Sequence, residues 1–259
     1  MDPCARIPVD HNTYHMNSEH SKKSIISFLQ KYCEDKPAVL GLSGGLDSSV
    51  VAYLAAEALG SNKIHTIISP SETNTDQDLE YAKNICENLD IQYSIFNIDT
   101  IIESFQKSTD NLYTSKQSLG NLKARIRMSL LYGKANELDG LVLGTGNRTE
   151  LSIGYFTKHG DGGADLLPIG DLYKTEEREL AKYIGVPQEI IDRPPTAGLW
   201  DGQTDEDEIG MTYETLDKIL TSLEQNKSLD KFETNDVEKV RKLMNKATHK
   251  NKIPPICKL

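Results

Sequence analysis

Four cysteines, Cys4, Cys33, Cys86 and Cys257, are scattered over 259 residues with no C-x-x-C pair. Neither a zinc site nor a disulfide framework has a basis in that spacing, so a reduced, cytoplasmic chain with incidental thiols is expected. No apolar run reaches the roughly 18 residues of a membrane-spanning helix, and the N-terminus lacks the basic-plus-apolar pattern of a secretory signal. Positive charge is also scarce. With 29 Lys and Arg against 39 Asp and Glu, the net charge is −10. That argues against a broad nucleic-acid-binding surface but leaves room for a local basic pocket. The G-x-x-x-x-G-K-[ST] phosphate loop and the G-x-S-x-G nucleophile elbow are both missing. What remains is 37% hydrophobic and 26% charged, enough for a substantial core in one large α/β domain or two small ones. Residues 1–16 are polar and aperiodic; they read as a disordered end, or as a junction ahead of a native start at Met16.

The most informative stretch is Ala38-Val39-Leu40-Gly41-Leu42-Ser43-Gly44-Gly45-Leu46-Asp47-Ser48-Ser49. An apolar strand ends in a Ser-Gly-Gly turn and passes straight into a helix-forming run that stops at Gly60. Backbone N–H groups and the helix dipole favour an anion at such a junction, and Gly44 and Gly45 let the backbone approach it closely. Asp47 stands where a cation bridging phosphates would be held.

The rest of the chain continues the alternation. A helix is expected over 24–32, strands over 37–42, 64–68, 91–98 and 141–143, and helices over 48–59, 76–89 and 117–138. Four strand–helix alternations predict an α/β fold: a doubly wound parallel sheet with helices on both faces and ligands at the carboxyl ends of its strands. Residues 145–173 read as a long, weakly periodic loop, functional or disordered, and the acidic run 201–208 as a solvated one. Helices over 174–184, 211–222 and 234–248 form a helical C-terminal extension.

Further candidates fall in the second half. Gly144-Thr145-Gly146-Asn147-Arg148-Thr149-Glu150 follows a strand, so Glu150 is either a second magnesium carboxylate or the acidic residue of a plain helix start. Lys158, Asp161 and Asp165 flank the glycines of 160–163, which suit a loop closing over a polar ligand or a solvated turn. Lys174, at a helix start, is a phosphate contact or an exposed lysine. Arg125, within a helix, is an anion clamp or a surface ion pair.

The Ser43–Ser48 loop resembles the pyrophosphate loop of the N-type ATP pyrophosphatases, which cleave ATP between the α- and β-phosphates. Added to it are Asn121-x-x-Ala124-Arg125, Gly144-Thr145-x-Asn147-x-x-Glu150, Phe156-Thr157-Lys158-x-Gly160-Asp161 and Pro195-Thr196-Ala197-Gly198-Leu199-Trp200-x-Gly202-Gln203-Thr204-Asp205-Glu206. In this order they resemble the ammonia-dependent NAD synthetase family over most of the chain, from about residue 40 to 250. The resemblance implies an adenine nucleotide alpha hydrolase-like fold in a single domain over 17–259, and amidation of deamido-NAD by ammonia through an acyl-adenylate. It implies ATP contacts from Gly41, Leu42, Ser43, Gly44, Gly45, Leu46, Asp47, Ser48, Thr145, Lys174 and Thr196, and magnesium on Asp47 and Glu150. It assigns deamido-NAD to Arg125, Lys158, Asp165, His249 and Lys250, with Lys174 and Asp161 as the catalytic residues. A cytoplasmic homodimer is implied, with no nucleic-acid or membrane partner. Only about 36 residues precede the first strand, against the ~100 of a typical domain, so free ammonia rather than glutamine is the expected donor. A tRNA-thiolating relative would favour reactive cysteines and a basic surface, and a regulatory module would not need both Asp47 and Glu150.

Overall fold

The computed structural model describes residues 16–200 and 202–258. The reading of 1–16 as a disordered end concerns residues 1–15, which lie outside the described residues. In chain order the elements are α1 (Ser18–Cys33), β1 (Ala38–Gly41), α2 (Leu46–Leu59), β2 (Ile64–Ile68), α3 (Asp76–Asn88), β3 (Gln92–Ile95), α4 (Asp99–Ser108), α5 (Lys116–Leu138) and β4 (Leu141–Leu143). There follow α6 (Arg148–Ile153), α7 (Lys174–Ile184), α8 (Gln188–Ile191), α9 (Asp205–Ile209), α10 (Tyr213–Glu224) and α11 (Thr234–Ala247).

The four strands pair in parallel in the order β3-β2-β1-β4. Alternation along β1 feeds both faces of the sheet. Ala38 and Leu40 join Ile64, Ile68, Val51, Leu54 and Leu29 on the side of α1, α2 and α3. Val39 joins Ile67, Val142, Met128, Leu131 and Ala135 on the side of α5. Each buried Val, Leu or Ile contributes about 1.5–3 kcal/mol, so these layers lock the sheet between its helices. Strand order reverses between β1 and β4. At such a switch point the loops leaving the two strands diverge and open a crevice. Residues 42–48 leave β1 there and 144–150 leave β4.

Four local expectations are corrected. The third strand covers only Gln92–Ile95, on an exposed sheet edge, because Ile98 turns away to pack with Ile102, Leu122 and Ile126. Helix α4, not anticipated, supplies Ile102 to that cluster. The long segment 145–173 contains α6, a helix of 6 residues and too short to show a period. The acidic run ends in α9, whose Asp205 is buried rather than solvated because the Tyr155 and Tyr213 hydroxyls donate to it.

The C-terminal helices form a second core of Ile153, Tyr173, Ile209, Tyr213, Leu216, Leu220 and Val240. This packing sets α10 and α11 against α6 and α7, which carry Glu150 and Lys174. Among the described residues, no helix is long and apolar enough to cross a membrane.

Candidate active site

A cavity of about 580 Å³ opens at the switch point. The phosphate-sized loop forms one wall. Gly45 caps α2 with no side chain, so the N–H groups of the helix's first turn are left for a ligand. The loop is braced from within: Ser43 N–H donates to Ser48 Oγ at 3.2 Å, and Gly45 N–H donates to Ser43 Oγ at 3.2 Å. Gly44 has φ +80°, and a Cβ there would lie 2.3 Å from the Asp78 carbonyl oxygen. Gly44→Ala is therefore expected to cost at least about 1–2 kcal/mol for the left-handed backbone alone. The carbonyl overlap should distort the loop as well. Urea unfolding and an ATP titration check it, and wild-type values in both would remove the glycine's role.

At the mouth of the loop Asp47 meets residues more than a hundred positions away. Lys174 Nζ lies 2.5 Å from Asp47 Oδ2, 3.5 Å from Glu177 Oε2 and 3.9 Å from Glu150 Oε1. Asn147 is the joint of the cluster. Its Nδ2 donates to Asp47 Oδ1 at 2.8 Å and, more weakly, to Glu177 Oε2 at 3.4 Å. Its Oδ1 accepts the Glu150 N–H at 3.0 Å, while Glu150 Oε2 accepts the Asn147 N–H at 3.2 Å. That reciprocal pair is a capping box, written in the sequence as Asn147-x-x-Glu150.

Electrostatics divide the carboxyls. Burial opposes ionisation of Asp47, but the Lys174 ammonium, added to the hydrogen bonds from Glu177, Lys174 and Asn147, holds that carboxyl below the ordinary range. Burial, then the charge on Asp47, pushes Glu150 and the fully buried Glu177 well above it. Burial likewise works against the charge on Lys174, yet Asp47, Glu177 and Glu150 together hold the ammonium above its usual value. The cluster thus has one firmly ionised carboxylate, one firmly charged lysine, and acidic groups awaiting more positive charge.

The opposite wall comes from α5 and the segment after β4. Arg127 donates to the Ser69 carbonyl at 3.0 Å and to Asn74 Oδ1 at 3.1 Å; burial lowers its guanidinium to about 10. Asp161 also lines the cavity and accepts the Thr157 N–H at 3.0 Å, and burial raises its carboxyl. Lys250 is anchored on the Gly154 and Phe156 carbonyls at 2.7 and 2.6 Å. Burial lowers its ammonium, with Asp161 opposing that shift. Residues 193–200 close the rim, and Arg193 ties them to the loop by donating to the Gly44 carbonyl at 3.2 Å and pairing with Asp78.

The NAD synthase family model matches residues 18–254. The chain belongs to that family. It is 46% identical over 248 residues to the NH(3)-dependent NAD(+) synthetase of Methanocaldococcus jannaschii, covering 92% of this chain and 96% of that one. The enzyme of the same name from Archaeoglobus fulgidus is 45% identical over 251 residues, with coverage of 94% and 98%. Among solved structures, an NMN synthetase from Francisella tularensis superposes with a TM-score of 0.86 at 35% identity, covering 95% of this chain and all of that one. An NH3-dependent NAD synthetase from Campylobacter jejuni does so with a TM-score of 0.81 at 33% identity, covering 94% and 100%.

Within this NAD synthase fold, the residues singled out from sequence divide into two groups. Gly41, Leu42, Ser43, Gly45, Leu46, Asp47, Ser48, Thr145, Glu150, Asp161, Lys174, Thr196 and Lys250 all line the cavity, and Gly44 shapes its loop. Arg125, Lys158, Asp165 and His249 lie outside the lining. Arg125 donates to the Lys158 carbonyl at 3.3 Å, and Lys158 Nζ donates to the His249 carbonyl at 2.9 Å, so three of them share one exposed patch. Asp165 accepts from the Tyr132 hydroxyl at 3.0 Å and from the Val142 N–H at 2.8 Å. Sequence reasoning passed over Arg127, Arg193, Asn147 and Glu177. Arg127 had a usable signal: on a helix it lies about 200° around from Arg125, so the two arginines cannot share a face.

Proposed function

We propose that the protein amidates deamido-NAD to NAD, the last step of NAD synthesis, using ATP and ammonia. The observation that carries this reading is the meeting of Asp47, Lys174 and Glu150 at an uncapped helix N-terminus in one cavity. A free carboxylate resists ammonia because its leaving group would be an oxide. An oxygen of the nicotinate carboxylate therefore attacks the α-phosphorus of ATP. The bond to the β-phosphate oxygen breaks, and pyrophosphate departs, leaving an acyl-adenylate. Ammonia adds to the acyl carbon, loses a proton and expels AMP.

The chain's contribution is position and charge. The first-turn N–H groups of α2 receive phosphate oxygens. Lys174 offsets charge developing around the α-phosphate. Asp161, less acidic than an ordinary carboxyl, is placed to take the proton that ammonia sheds. Magnesium fits the cluster. Its donors are all oxygen, Asp47 and Glu150 both face the cavity, and Glu150 is held back from ionising by burial and then by the Asp47 charge, which a cation would offset. Magnesium takes one or two carboxylates and completes its shell with phosphate and water. Asp47 and Glu150 would hold it, and when bound it supplies charge neutralisation at the phosphate oxygens.

A cavity of about 580 Å³ is of the size that encloses a single drug-sized ligand, so a second nucleotide has to extend beyond it. The exposed Arg125–Lys158–His249 patch is assigned to that extension, completed by a second copy of the chain in a homodimer. The NMN synthetase likeness gives the rival reading, amidation of a mononucleotide. The higher identity to NH(3)-dependent NAD(+) synthetases favours the dinucleotide. Incubation with ATP, magnesium and ammonia, plus either deamido-NAD or nicotinate mononucleotide, decides between them. NAD with stoichiometric pyrophosphate is expected. Amide formed only from the mononucleotide, or none from either, would overturn the proposal. Glutamine in place of ammonia is expected to give no NAD.

A further inference from the structure

Lys174 and Glu150 occupy the first turns of two separate helices, and a residue from a third helix joins those turns. Asp217 of α10 is only 4% exposed. Its Oδ1 accepts the Thr149 hydroxyl at 2.5 Å, and its Oδ2 accepts the Thr175 N–H at 2.9 Å. The Thr149 Oγ in turn accepts the Lys174 N–H at 2.9 Å. Thr149 precedes Glu150, and Thr175 follows Lys174. One carboxylate therefore holds the residue immediately beside each group that faces the phosphates, by its hydroxyl at Thr149 and by its N–H at Thr175. The N-cap of α7 is Tyr173, which makes no side-chain cap bond. The N–H groups of Lys174 and Thr175 depend instead on Thr149 and on Asp217 reaching in from α10. A carboxylate is the best acceptor at a helix N-terminus, and the two oxygens of Asp217 receive the hydroxyl and the N–H separately.

We propose that Asp217 is a positioning residue for the adenylation step. It sets the approach of Lys174 to Glu150 and Asp47 without touching a ligand. This inference rests on the assignment of those three residues to phosphate and metal. The same helix provides an internal comparison. Glu224, two turns further along α10, grips α6 and the residue before α7 outside the cavity lining, pairing with Arg148 at 2.5 Å and accepting the Tyr173 hydroxyl at 2.8 Å. It braces the two helices but does not reach their first-turn backbone beside the cavity.

The test compares Asp217→Asn, Thr149→Val and Glu224→Gln in the full chain. Thr149→Val keeps shape while removing both hydroxyl bonds. Three quantities are measured: kcat and KM for deamido-NAD, the magnesium needed for half-maximal pyrophosphate release, and ATP binding with and without magnesium. Trp200, the one tryptophan of the sequence, lines the cavity and reports that binding by fluorescence. Asp217→Asn and Thr149→Val are each expected to lower kcat about 10–100-fold and raise the magnesium requirement similarly, as loss of an outer-shell partner does. KM for deamido-NAD should stay within about twofold. The double variant should fall little below the weaker single, because both cuts sever one network. Glu224→Gln should lower the Tm yet leave kcat within about twofold. Wild-type kcat and magnesium dependence in both Asp217→Asn and Thr149→Val would overturn the proposal. So would equal losses in Glu224→Gln, which would make the effect purely structural. If Asp217→Asn does not fold, Thr149→Val decides alone. If the wild type forms no NAD, the functional reading has failed, and the magnesium-dependent fluorescence of the variants still tests the positioning role.

Discussion

Replacing Lys174 with methionine is expected to lower acyl-adenylate formation by about 10²–10³-fold or more, the usual loss when a preorganised charge is removed from a transition state. The same change should destabilise the fold. Lys174 is 1% exposed and is the cation among Asp47, Glu150 and Glu177. Methionine fills much of its volume but leaves those acidic groups facing one another, and breaking a buried ion pair on one side costs about 3–5 kcal/mol. The loss should depend on pH, and its sign follows from the shifts. Glu150 and Glu177 already bind protons more tightly folded than unfolded, and without Lys174 the carboxyl of Asp47 is freed from the charge that lowers it. The folded variant then holds more protons than the unfolded chain, so its stability falls as pH rises above the unfolded carboxylate range near ~4. Melting curves should show a Tm deficit that is modest at low pH and larger at neutral and alkaline pH. A deficit that shrinks with rising pH would refute this account of the cluster, and turnover within tenfold of wild type would remove Lys174 from the chemistry.

The cluster also shows how far the sequence could be read. Asp47 and Glu150 were identifiable as a pair because each follows a short apolar strand, and parallel strands deliver the loops at their carboxyl ends to one edge of the sheet. Strand β2, Ile64–Ile68, was legible to the residue because Gly60 ends the preceding helix and every strand residue but His65 is β-branched. Periodicity said nothing of α6, since 6 residues make under two turns. Asn147 was visible only as a motif letter. Its role depends on Asp47, a hundred positions away, coming within 2.8 Å. The acidic run around Asp205 looked solvated because composition favours exposure of carboxylates. Its burial depends on Tyr155 and Tyr213, whose hydroxyls meet it only once α9 folds back over the cavity. Helical spacing puts Arg125 and Arg127 on different faces of α5; the sequence reading took Arg125, whereas the packing of α5 on the sheet turns Arg127 into the cavity.

Glu150→Gln is expected to part from Lys174→Met in its effect on stability: it leaves the fold intact and weakens function at limiting magnesium. Glutamine keeps an oxygen able to accept the Asn147 N–H, so the capping box and the start of α6 survive. It also removes an acidic group that burial and the nearby Asp47 charge hold above its ordinary pKa. Such a group costs stability wherever the unfolded carboxyl would be ionised, so the variant should melt no lower than wild type at neutral pH. A neutral amide is a poor partner for magnesium, which prefers anionic oxygen. The magnesium needed for half-maximal pyrophosphate release should rise about 10–100-fold. Deamido-NAD affinity should change little, because its proposed contacts on Arg125, Lys158 and Lys250 are made by other elements. Pyrophosphate release at limiting magnesium, set beside equilibrium binding of deamido-NAD, separates the two effects. Unchanged release at limiting magnesium would show that Glu150 only caps α6, the plainer of the two roles its sequence context allowed.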